Sequence, residues 1–135
     1  MSEKKSDYFQ SRANQYEDYY HLLNHWLEAK NYGASAAEYF EANGWKNIAI
    51  YGMGDLANRL MEDLEGTSVR VSYGIDRDTA GTVARIAEVY SPGQKLPSAD
   101  AVVVTPFYSF DAIKETLGKQ VTCPIVSLEN VIWSI

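Results

Sequence analysis

The chain has 135 residues, 46% of them apolar, and a formal net charge of -6. That length suits one domain with one core, and the acidic balance argues against a partner bound through many phosphates, whether nucleic acid or an anionic membrane. No apolar stretch follows the charged start MSEKKSDYFQ and no run approaches a membrane span, so the expected location is cytoplasmic. The lone Cys123 in VTCPIVSL excludes an intrachain disulfide and reads as a buried core thiol.

The segment SDYFQSRANQYEDYYHLLNHWLEAKNY contains no Pro or Gly and repeats apolar residues at helical spacing. This predicts one long helix capped by Ser6 or Asp7 and stopped by Gly33. Phe9, Ala13, Tyr16, Tyr20, Leu23 and Leu27 follow steps of four and three, with Tyr8, Tyr19, Leu22 and Trp26 as a second line beside them. A helix of about 25 residues is a rod of about 37 Å, longer than a small domain is wide. Part of it is expected to overhang and meet a partner, most simply a second copy in a homodimer.

His21 and His25 share a helix face with Asp18 and Glu28, a spacing that invites a metal. Two residues at about 100° each separate Leu23 from His25, which turns this row towards solvent, and the expectation is no metal site.

A second, short helix is announced by SAAE, where Ser35 caps and Glu38 reaches back in a capping box, ending at Gly44. Beyond it the periods alternate: strand KNIAIY, a helix from about Gly54 to Glu65, strand VRVSYGID, a loop, a short strand near AEVY, strand AVVVT, helix SFDAIKETLGKQ and strand PIVSL. The Pro-rich SPGQKLPSAD is too short for a good helix, so that crossover is abbreviated. The expectation is an α/β, Rossmann-like three-layer fold with a five-stranded parallel sheet in the order 3-2-1-4-5. Residues 1–44 form an amino-terminal helical arm and residues 45–135 the nucleotide-binding domain.

The period changes at Gly52-Met53-Gly54, at the carboxyl end of the first strand, where parallel open sheets bind ligands. Gly52 permits a tight turn, Gly54 lets a ligand approach the backbone, and Ala57 lets helix and strand pack closely. The helix that starts at Gly54, Asp55 and Leu56 presents free amides to an anion such as a pyrophosphate. Asp76 ends the second strand where a carboxylate would bond a ribose, and Arg77 beside it suits a further phosphate. Thr105, Pro106 and Tyr108 lie just beyond the fourth strand, with Tyr108 placed to stack on a ring, while Phe107 and Phe110 pack under a helix capped by Ser109 or Asp111. Asp55 opposes the scheme, because its charge repels a phosphate and itself satisfies the helix dipole. No catalytic residue set is visible.

The stretches WKNIAIYGMGDLANRLMEDLEGTSVRVSYGIDRDTAG, ADAVVVTPFYSFDAIKETL and CPIVSLENVI resemble small Rossmann-like domains of bacterial cell-surface polysaccharide biosynthesis proteins, such as glycosyltransferases and phosphotransferase-like enzymes. They are similar, more distantly, to the carboxy-terminal half of sugar C-methyltransferases and the amino-terminal domain of sugar-nucleotide acetyltransferases. The resemblance implies a nucleotide or nucleotide-sugar at Gly52, Gly54 and Asp76, and a biosynthetic enzyme as an alternative partner for the arm. It departs at the catalytic histidine of the methyltransferase-like relatives, since both histidines lie in the first helix. The reading is therefore an accessory nucleotide-sugar-binding module. A ligand-free scaffold acting through the helix and an NAD(P)-dependent oxidoreductase-like protein are the alternatives.

Overall fold

Alternation with a period of two sends Ile48 and Ile50 of strand β1 (Asn47–Tyr51) to one side of the sheet and Ala49 and Tyr51 to the other, and all four are buried. A strand apolar on both faces belongs at the centre of a covered sheet, and that is where the computed structural model, which describes residues 3–78, 86 and 88–135, places it. Strand β2 (Arg70–Ile75) and strand β4 (Ala101–Val104) pair with it in parallel, β3 (Val89–Tyr90) extends the β2 edge and β5 (Ile125–Ser127) the β4 edge, giving the order 3-2-1-4-5. The β1–β2 register shifts between Ile48 and Ala49, so that Tyr51 pairs with Ile75 at the carboxyl ends.

Four helices cover one face: α1 (Glu3–Asn31), α2 (Ala37–Ala42), α3 (Asp55–Leu64) and α5 (Leu128–Trp133). Their buried residues, among them Leu22, Trp26, Phe40, Leu60 and Ile132, join Ile48, Ile50 and Val103 in one core. The other face is closed by α4 (Phe110–Leu117) through Ile113 and Leu117, packed with Tyr51, Tyr73 and Val102. The protein is thus a three-layer, Rossmann-like α/β fold with an amino-terminal helix. Among the described residues, no helix is long and apolar enough to cross a membrane. The loop expected after β2 falls largely on residues 79–85 and 87, outside the described residues.

Several local expectations are corrected. Helix α1 already runs at Glu3, so Ser6 and Asp7 lie inside it. Its other end does stop at Gly33, whose φ of 88° lets the Ala34 amide return to the Ala29 carbonyl at 2.9 Å. Ser35 Oγ accepts from the Ala37 amide at 3.1 Å, but it donates to the Asp63 carbonyl and Glu38 is exposed, so half of the capping box is replaced by a tertiary contact. Ser109 precedes α4, after a 3₁₀ turn over Phe107–Ser109, without a side-chain cap. Cys123 is only half-buried beside Leu96 and Val121, and desolvation raises its pKa. Helix α5 was not anticipated. Its signal was Ser127, which accepts from the Glu129 amide, followed by Leu128, Val131 and Ile132 on one face.

Candidate functional site

Gly52 follows β1 with φ of 92°, a backbone that side chains rarely adopt. Its amide donates to the Ile75 carbonyl at 2.8 Å, and Thr105 Oγ1 donates to its carbonyl at 2.7 Å. A Cβ here would lie 2.6 Å from both Pro106 Cδ and Thr105 Oγ1. The glycine is therefore required by the close approach of the β4 turn, whether or not a ligand comes near.

Met53 turns inward. Its amide donates to Asp76 Oδ2 at 2.8 Å, and its thioether covers Gly74, where a Cβ would meet Met53 Sδ at 2.5 Å. The other oxygen, Asp76 Oδ1, accepts the Asp78 amide at 3.0 Å. Asp76 thus ties the glycine turn to the end of β2, while each oxygen keeps a lone pair for a further donor.

Gly54 differs from Gly52. It is extended (φ −103°, ψ −152°), it is exposed, and a Cβ built on it meets nothing within 4 Å. Fold packing does not demand a glycine there. The amides of Gly54, Asp55 and Leu56 at the start of α3 have no intrahelical acceptor and no hydrogen-bond partner among the described residues. Asp55 is exposed and makes no cap hydrogen bond, so it complements the helix dipole without occupying those amides. One turn on, Arg59 is held cationic chiefly by its bonds to Glu62 at 2.8 and 2.7 Å, and least by Asp55.

Eight of the ten anticipated residues, Gly52, Met53, Gly54, Asp55, Leu56, Asp76, Thr105 and Pro106, line one recess of about 320 Å³, which Tyr19 of α1 closes from the side. Arg77 lies across the turn in a second recess of about 500 Å³, with Tyr51, Pro92, Ser109 and Thr116. Gly52, Asp76 and Pro106 border both recesses. Sequence reasoning missed Tyr19 as a site residue, its only signal being its place in the second apolar line of α1; burial raises its pKa.

Tyr108 lines neither recess. Its hydroxyl is engaged by the Asp18 carboxylate and the Asn14 carbonyl of α1, and its ring centroid lies 5.8 Å from that of Tyr19. Desolvation and then the Asp18 bond raise its pKa, keeping it a donor. Tyr108 therefore latches the arm and stands outside the recess that the other anticipated residues line. Phe107 is buried against Tyr19, as its apolar character requires.

The histidine row does not face solvent as a unit. His21 pairs with Glu17 at 3.7 Å, Asp18 serves Tyr108, and His25 is stacked on Trp133 of the unanticipated α5 at 4.5 Å. Among the described residues, no group of three metal-binding side chains converges. The principal omission is Asp63. Its buried carboxylate accepts from Trp26 Nε1 at 3.1 Å and the Ala36 amide at 2.7 Å, with Lys30 Nζ 3.9 Å away.

The order of the strands, with helices on both faces, defines a doubly wound α/β protein whose recess lies at the carboxyl ends of β1 and β4, its switch point. Comparisons of the chain with family models, with curated proteins and with solved structures find no match.

Proposed function

We propose that this chain is an accessory module that binds a nucleotide or nucleotide-sugar, with its phosphates over the Gly54, Asp55 and Leu56 amides, its ribose on Asp76 and Arg77 available to a second anionic group. The observation that carries the reading is the empty space at Gly54: a glycine the packing does not need, facing an open recess beside unpaired amides. The resemblance of residues 45–135 to domains of polysaccharide biosynthesis proteins is what extends the ligand from a nucleotide to a nucleotide-sugar. Thr105 and Pro106 line the recess beside the glycine turn, with Tyr19 as its aromatic side chain. No nucleophile–base–orienter set converges on the recess among the described residues, and the module is assigned binding alone.

Calorimetric titration with nucleoside diphosphates, nucleotide-sugars and NAD(P) tests the assignment. Asp55→Asn removes an exposed repulsive charge worth about 1 kcal/mol, so it should tighten binding about fivefold. Gly54→Val fills the recess without touching the core and should abolish binding, while the loss of a favoured N-cap lowers stability by only about 1 kcal/mol. If neither the wild type nor Asp55→Asn binds any of these at millimolar concentration, the turn is only a turn and the chain is a scaffold.

A further inference from the structure

Helix α1 carries two apolar lines, and the fold uses one. Tyr19, Leu22, Trp26 and Ala29 pack onto the domain, whereas Phe9, Tyr16, Tyr20, Leu23 and Leu27 remain exposed, four of these five by more than half of their surface. At about 100° per residue the exposed line, with Ala13, occupies an arc of about 80° centred about 120° from the docked line. Its steps of four, three, four, three and four, from Phe9 to Leu27, are the a and d spacing of a coiled coil.

The flanks of this line differ in charge. On the side nearer the domain lie Arg12 and Lys30, joined by Arg59 of α3; Lys30 and Arg59 rim a recess of about 260 Å³ with Leu23, Trp26 and Leu27. On the far side lie Glu17 and Glu28, both exposed. In a parallel pair the g side of each helix meets the e side of its partner, so Arg12 at g of each copy would face Glu17 at the following e of the other. An antiparallel pair would set g against g and e against e, so that Arg12 and Glu17 would not meet across the seam, whereas Lys30 and Arg59 already have Asp63 and Glu62 as partners within the chain.

We propose that the occupant of this face is a second copy of the chain, joined through α1 as a parallel, in-register two-stranded coiled coil with Arg12–Glu17 pairs across both flanks. The proposal is independent of any ligand at the glycine turn.

The test uses the whole chain. Sedimentation velocity should show a concentration-dependent dimer, abolished by Tyr20→Ser with Leu27→Ser at unchanged helicity. Arg12→Glu should weaken association about fivefold, on the scale of two exposed ion pairs, and Glu17→Arg added to it should restore the dimer. Orientation is read by oxidation of Leu27→Cys in a Cys123→Ser background. A parallel pair brings the two copies of residue 27 together and links them, whereas an antiparallel pair holds them more than about 20 Å apart and links Leu27→Cys to Phe9→Cys instead. A monomer at high micromolar concentration, a dimer that survives the serine pair, or linkage only between positions 9 and 27 overturns the proposal.

Discussion

The two faces of α1 have similar composition and opposite fates. Trp26 on the inner face is buried and Leu27, its neighbour, is 60% exposed. What separates them is a polar anchor rather than hydrophobicity. Asp63 on α3 offers a buried carboxylate to the Trp26 indole and to the Ala36 amide, fixing both the rotation of the helix and the path of the chain that leaves it. Among the described residues the outer face has no such buried anchor, and its Phe9, Tyr16, Tyr20, Leu23 and Leu27 stay exposed. An amphipathic pattern thus states that a helix has a sticky line, while buried polar groups select which line the domain keeps.

Substitutions on the two faces should break this contrast by different amounts. The largest effect is expected from Trp26→Ala, which removes a buried indole and should cost about 3–5 kcal/mol in urea unfolding. Asp63→Ala comes next, at about 2–3 kcal/mol, because the indole N–H and the Ala36 amide would be left buried without an acceptor. If Asp63→Ala were neutral, packing alone would hold the arm and the anchor would have no role.

Further along the helix, Tyr108→Phe deletes the latch to Asp18 and Asn14 and should cost about 0.5–1 kcal/mol, read more directly as faster amide exchange around those two residues. On the outer face, Leu27→Ser should change monomer stability by less than about 0.5 kcal/mol while weakening association. The smallest effect concerns a carboxylate with comparable bonding but in the open. Asp100 accepts the Lys46 and Asn47 amides at 2.8 and 2.9 Å, and these bonds lower its pKa. A lowered folded pKa means that its contribution is present above the ordinary Asp range and lost as pH falls below roughly 4. Asp100→Asn should therefore flatten the acid limb of a urea-midpoint profile by slightly lowering its neutral plateau, with the low-pH end unmoved. A steeper acid limb in that variant would contradict the assignment.

Gly52 and Gly54 show a similar division within the candidate site. Both were legible as a turn at the end of a central strand, but their reasons differ: Thr105 and Pro106, more than fifty positions away, demand the first, and open space surrounds the second. The same holds for Asp76, whose place at the end of β2 was readable, whereas its bond to the Met53 amide was not.

By itself, the sequence determined the alternation of strands and helices, the parallel order 3-2-1-4-5 and the position of the glycine turn. These follow from local periods and from the few ways that short crossovers can connect parallel strands. Only the tertiary structure decided which line of α1 docks, that Tyr108 latches the arm, that His25 lies under Trp133 and that Asp63 is buried. Each of these depends on groups brought together across long separations, 37 positions for Trp26 and Asp63 and 90 for Asp18 and Tyr108. Pairing at that range is set by how the helices pack on the finished sheet, and no local period records it.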